Sequence, residues 1–326
     1  MSTLPEPYED TVVRVACGRE LTVARWGRRG GAPIISHHGT PMSRLDLPGS
    51  PELLKRLDVD LIMYDRPGYG SSTPAPGRRV AGAAADAAAV ADALGLGRFA
   101  VHGVSGGGPH ALACAALLPD RVTRAASVVG LAPWSAMRAA ISDGMSDANV
   151  EEFEVALLGR AALEDYVDGY VAAVRAGGDL LADWIDELPE PDQQTYRSPK
   201  TRAMFDRALV AALSVSGNGW VDDDLAFVQD WGFDLHDITV PVSVWVGVLD
   251  VLVPPDHGRF IAGQIPGAEL YEVPGRGHEL DHTPILEWLC GVPGRRSDRS
   301  SSNLTDRKRS RSSAGHWHDL PSPFFP

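Results

Sequence analysis

Residues 101–109 read Val-His-Gly-Val-Ser-Gly-Gly-Gly-Pro, and they constrain the fold more than any other stretch of the chain. An apolar run at 99–104 passes directly into the Ala- and Leu-rich run GGGPHALACAALL at 106–118, so a strand must turn sharply into a helix with Ser105 at the bend. The Gly-x-Ser-x-Gly frame is the sequence form of a nucleophile elbow. A serine hydroxyl is a poor nucleophile at neutral pH; such a turn presents it beside a base and next to backbone donors for a developing oxyanion. Gly103 and Gly107 fit that demand, because strand and helix approach too closely there for side chains.

Ser105 then needs a histidine to take its proton and a carboxylate to orient that histidine, and at elbows of this kind the partners follow in the order serine, acid, histidine. The apolar run 240–247 reads as a buried strand and delivers Asp250 just past its end. The run AELYEV at 268–273 leads into Pro-Gly-Arg-Gly-His, which carries His278 to the same sheet edge. Ser105 and Asp250 are 145 residues apart, and Asp250 and His278 are 28 apart. The shorter interval has room for one strand, one helix and one strand, while the longer leaves room for an inserted module. One oxyanion donor is the backbone N–H of Gly106. The other is expected from the loop closing the third strand, APIISHHGTP at 32–41, where the N–H of Thr40 should point inward and its hydroxyl adds a further contact.

The blocks HHGTP, YDRPGYGSS (64–72), HGVSGGG and the pair GVLDVLVP with GRGHEL resemble the α/β-hydrolase superfamily, in the group of actinobacterial-type esterases and proline-iminopeptidase-like hydrolases. The resemblance runs over about residues 11–290. It implies Ser105 as nucleophile, His278 as general base and acid, Asp250 as orienting carboxylate, and the N–H groups of Thr40 and Gly106 as oxyanion hole. Dehalogenases and epoxide hydrolases of similar fold carry aspartate where this chain has Ser105. Proline iminopeptidases usually have a Gly-Gly-Ser-Trp-Gly elbow and a Gly-Gly-Pro loop, and this chain departs from both.

Outside the motifs, strand patterns at 12–16, 21–25, 34–37, 61–64 and 122–129 alternate with helical ones at 51–57 and 80–94. Such alternation predicts an α/β fold: a mostly parallel eight-stranded sheet with helices on both faces. From residue 134 to about 225 only helical patterns appear, at 149–158, 161–176 and 201–213. The expected organisation is a first core part at 1–133, a helical cap at 134–225 over the carboxyl ends of the strands, a second core part at 226–292 and a disordered basic tail at 293–326.

The cap holds 18 Asp/Glu against 7 Lys/Arg, a balance of −11 in a chain whose net charge is −13. These acids are expected to coat the solvent side of the helices; a sharper reading turns some toward the active-site mouth, where they favour amine-bearing substrates. Trp134, just past the strand that follows the elbow helix, is the expected pocket aromatic. His37 and His102 are read as loop braces, and Asp65, Arg66 and Ser71 as fixing the turn after the fourth strand.

The tail is rich in Ser and Arg and carries 7 Lys/Arg against 3 Asp/Glu. It has too few apolar residues to order itself, and its short basic tract makes no nucleic-acid case on an acidic chain. Three cysteines (Cys17, Cys114, Cys290) lack metal or redox spacing and read as free thiols in a reducing cytosol. His278, Asp281 and His282 have no second ligand cluster, so neither a metal nor another cofactor is expected. Residues 1–11 lack a basic region followed by an apolar stretch, so a cytoplasmic protein without membrane contact is expected.

The expected function is hydrolysis of a small or medium carboxylic ester through an acyl-enzyme. An aminopeptidase or amidase using cap carboxylates for a substrate ammonium is the alternative, and a non-catalytic ligand-binding protein is a third reading. The expected partner is a small-molecule ester or amide; substrate identity and oligomeric state are not encoded in any motif.

Overall fold

The computed structural model describes residues 4–15, 18–137 and 140–292. The expected tail at 293–326 and Cys17 lie outside the described residues. Eight strands form one sheet: β1 (Glu9–Arg14), β2 (Glu20–Gly27), β3 (Ala32–His37), β4 (Val59–Tyr64), β5 (Phe99–Val104), β6 (Val122–Val128), β7 (Val242–Gly247) and β8 (Glu269–Val273). Their order is β1-β2-β4-β3-β5-β6-β7-β8, antiparallel at β1/β2 and β2/β4 and parallel from there on.

The helices are α1 (Pro51–Arg56), α2 (Gly82–Ala93), α3 (Gly107–Leu117), α4 (Trp134–Met137), α5 (Asp147–Leu158), α6 (Arg160–Arg175), α7 (Leu180–Trp184), α8 (Glu190–Tyr196), α9 (Pro199–Leu213), α10 (Asn218–Phe227), α11 (Pro255–Gln264) and α12 (His282–Leu289). Strand side chains alternate between two cores, as the two-residue period of a strand requires. Ile35, Ile62, Val101 and Val244 face one way and pack with Val90 of α2, Leu112 of α3 and Ile261 of α11. Ile34, Leu61, Met63, Ala100 and Trp245 face the other way and pack with Leu54 of α1 and Ile285, Leu286 and Leu289 of α12. Burial on both faces is why the central strands read as continuous apolar runs.

Every helix from α4 to α10 falls between β6 and β7. Leu163, Val167, Val171 and Val174 of α6 recur at helical spacing and build a third core with Leu209 and Leu213 of α9 and Trp220 of α10. Met42 and Tyr69, from loops after β3 and β4, enter that same core, so the segment is seated on the loops at the carboxyl ends of the strands. Among the described residues no helix is long and apolar enough to cross a membrane.

Candidate active site

Ser105 stands at the junction of β5 and α3 with φ of 53°, a left-handed conformation that costs a non-glycine residue about 1–3 kcal/mol and persists only where its surroundings hold it. They do: Ser105 N–H donates to Val128 O at 2.9 Å, and Gly108 N–H donates to Ser105 O at 2.8 Å. A Cβ on residue 103 would lie 2.1 Å from the Gly107 carbonyl oxygen, so the turn closes only with glycine there.

His278 follows β8 and Asp250 follows β7, parallel neighbours in the sheet. Their side chains meet at 2.8 Å between His278 Nδ1 and Asp250 Oδ2. The other oxygen, Asp250 Oδ1, accepts the N–H groups of Leu252 (2.9 Å) and Val253 (3.0 Å), which fixes the carboxylate. Burial alone would lower the pKa of His278. The charge of Asp250 and its hydrogen bond, with Glu279 and Asp192 behind them, outweigh it and push the imidazole up to about 9. Ser105 and His278 both line one cavity of about 550 Å³. About half of its lining comes from the helical segment, including Leu180, Leu188, Met204, Phe205, Leu209 and Trp220.

Thr40 also lines the cavity, and its Oγ1 occupies the space of an absent side chain at Gly106: a Cβ there would come within 2.3 Å. The two expected oxyanion donors are therefore neighbours. The Thr40 hydroxyl itself is committed elsewhere, donating to Asp223 Oδ2 at 2.9 Å and accepting from Arg66 Nη2 at 3.2 Å. Its expected further contact with substrate is thus replaced by a buried network.

That network went unread in the sequence. Asp223, on α10, also accepts from Arg66 Nη2 (2.5 Å), Arg78 Nη1 (2.7 Å) and Tyr69 OH (2.8 Å). Arg66 in turn donates to the carbonyl oxygen of His38, and its own N–H donates to His38 Nε2 at 3.2 Å. The guanidinium thus holds the backbone that leads to Thr40. Burial would raise the Asp223 carboxyl, but Arg66 and Arg78 hold it well below the usual carboxylate range. The only signals were an arginine in a turn motif and the run of three aspartates at 222–224, which reads as a solvated face but is buried throughout.

Trp134 packs on Phe153 with ring centroids 5.3 Å apart, beside the core under the sheet, and does not appear among the described residues lining the cavity. The expected pocket contact is thus corrected to a packing one, made through the ring of Phe153. His102 pairs its Nδ1 with Ser36 Oγ at 2.9 Å, and His37 lies within hydrogen-bond reach of Tyr64 OH. Asp281 caps α12 by accepting Thr283 N–H at 2.9 Å, and no cluster of three or more metal-ligating side chains occurs among the described residues.

The model of the alpha/beta hydrolase fold family matches residues 32–281. The chain belongs to that family. This α/β hydrolase is 29% identical over 281 residues to a non-heme chloroperoxidase of Streptomyces lividans, with 84% of this chain and 95% of that protein covered. It is 32% identical to a non-heme haloperoxidase of Rhodococcus erythropolis, with 82% and 92% covered. Among solved structures, a hydrolase from Pseudomonas aeruginosa PA01 superposes with a TM-score of 0.60 at 20% identity, covering 87% of this chain and 97% of that one, a likeness of fold.

Proposed function

We propose that this α/β hydrolase is a serine hydrolase that cleaves a carboxylic ester through Ser105, His278 and Asp250. The observation that carries the reading is the 2.8 Å bond between His278 Nδ1 and Asp250, which fixes the ring so that Nε2 is left for the hydroxyl of a serine on the same cavity. His278 takes the Ser105 proton as Oγ attacks the ester carbonyl, and the N–H groups of Thr40 and Gly106 receive the oxyanion. Collapse of the tetrahedral intermediate expels the alcohol with the proton from His278. Water activated by the same ring then releases the acid.

The helical segment at 134–225 acts as the cap that shapes the pocket. Its apolar contribution, Leu180, Leu188, Met204, Phe205 and Leu209, suits an alkyl or acyl group of moderate size. A second reading, an amidase or aminopeptidase, draws support from Asp46, Glu152 and Glu279 on the cavity wall, where a substrate ammonium would find carboxyl oxygens.

Labelling by a fluorophosphonate probe, abolished in Ser105→Ala, tests the nucleophile and separates a catalyst from a binding protein. p-Nitrophenyl acyl esters set against alanine and proline arylamides test the substrate class, with cleavage of the arylamides alone sinking the ester reading. The names of the two haloperoxidase relatives add peroxide-dependent halide oxidation to the panel.

A further inference from the structure

The loop that carries His278 is gripped from the helical segment by one buried carboxylate. Asp192, on α8, is 1% exposed. Its Oδ2 accepts the backbone N–H of His278 at 2.7 Å, and its Oδ1 accepts that of Glu279 at 3.2 Å. The carboxylate thus caps two successive amides, the geometry by which a planar anion fixes both the position and the tilt of a peptide segment. One turn further along α8, Tyr196 OH donates to the Glu279 side chain, so the same helix holds the backbone and the neighbouring side chain.

Gly277 makes room for the contact. A Cβ there would come within 2.1 Å of Asp192 Oδ2 and 2.6 Å of Pro189, so carboxylate and loop are packed against each other with no slack. The loop's other side rests on the turn after β7, where Leu249 N–H donates to Arg276 O at 2.8 Å. His278 is therefore fixed at two points by two different parts of the chain: at its ring by Asp250 of the loop after β7, and at its backbone by Asp192 of the helical segment.

We propose that Asp192 is a positioning residue, which couples the seating of the helical segment to the alignment of the His278 imidazole and adds a negative charge behind it. The inference rests on the assignment of His278 as base. Groups facing this histidine are Asp250 from the loop after β7, Asp192 from α8, Glu279 from its own loop and Asp46 from the loop after β3; Tyr196 faces Glu279. Asp192→Asn keeps the shape but offers one acceptor oxygen and turns an NH2 group toward the second amide, while removing the charge.

The test has an activity arm and an arm independent of turnover. For Asp192→Asn on a p-nitrophenyl ester, kcat is expected to fall about tenfold to a hundredfold, as for small misplacements of a catalytic group, with KM unchanged. The acid limb of the kcat/KM profile moves to lower pH, since less negative charge supports the imidazolium. Asp192→Glu, which restores charge with altered reach, recovers the limb position but not the full kcat.

Independently, the ring nitrogens of His278 in a 15N-histidine spectrum, assigned by their loss in His278→Gln, are expected to titrate at lower pH in Asp192→Asn than in the wild type. In the wild type itself, the amide protons of His278 and Glu279 are expected to shift together as Asp192 titrates, a measurement that needs no variant to fold. A folded Asp192→Asn protein with wild-type kcat, acid limb and ring titration overturns the proposal, as does a fall in thermal stability alone. Joint silence of the two wild-type amides overturns it too. Retained probe labelling in Ser105→Ala would instead defeat the nucleophile assignment, and the two spectroscopic measurements would still decide for or against Asp192.

Discussion

The carboxylate of Asp223 and the guanidinium of Arg66 meet in the interior with side chains 0% and 1% exposed, one from the helical segment and one from the loop after β4. Their pairing spans 157 positions of sequence and ends at the backbone of the loop bearing Thr40. A buried ion pair gives little net stability when intact, but removing one partner strands the other charge without water.

Asp223→Ala leaves Arg66 and Arg78 facing each other around an empty acceptor. The expected loss of stability is about 3–5 kcal/mol, read by urea unfolding. Turnover of the remaining folded enzyme falls as well, because the His38–Gly39 backbone loses its anchor. The Asp223 contribution is present above the ordinary aspartate value of 3.8 and survives into strongly acid solution, since the native carboxyl is held well below that range. An unfolding midpoint within error of wild type would show that the network is dispensable.

On the proposed mechanism, the pH dependence of activity follows from His278. Only neutral imidazole accepts the Ser105 proton, so kcat/KM is expected to rise with pH until about 9, the value to which Asp250 and its hydrogen bond push the ring against the effect of burial. Asp250→Asn should move this limb back down and cut turnover by about four orders of magnitude. The same raised pKa stabilises the fold fully below the ordinary histidine value of 6.5, and that stabilisation is lost as pH rises through about 9. A profile already flat at pH 7 contradicts this account.

Thr40 and Gly106 are separable by mutation. Thr40→Ala keeps the backbone N–H and removes only a hydroxyl already bonded to Asp223, so turnover should change less than about tenfold while stability falls by about 1–3 kcal/mol. Gly106→Ala drives a methyl into Thr40 Oγ1 and displaces one donor from the other, with an expected loss of about a hundred- to a thousand-fold in kcat. Equal losses in both variants would mean the hydroxyl touches the reacting oxygen.

Substrate size is expected to follow the helical segment. Phe205→Ala enlarges the apolar wall, and the preference among p-nitrophenyl esters should move toward longer acyl chains. Trp134→Ala should leave that preference alone and lower stability, because its ring packs on Phe153. A shift of chain-length preference in Trp134→Ala would return it to the pocket.

Local chemistry made the strand-to-helix turn at Ser105, the two late loops and the loop at 38–41 readable in order along the chain. Ser105 sits in a frame of glycines that few other backbones require, and Asp250 and His278 each follow an apolar strand and sit among turn residues. Apolar runs of strand length separated by helical patterns likewise announced a buried parallel sheet, because both of its faces are covered.

What the tertiary structure alone decided is where charge goes inside. Asp192, Asp222, Asp223 and Asp224 look in sequence like the rest of an acidic helical segment, yet all four are buried. An ionised carboxylate is stable in the interior only if distant groups converge on it, and convergence of Arg66, Arg78 and Tyr69 on Asp223, or of two loop amides on Asp192, depends on packing between elements far apart in the chain. Sequence periodicity reports which face of an element is apolar; it carries no record of which partner waits on the other side.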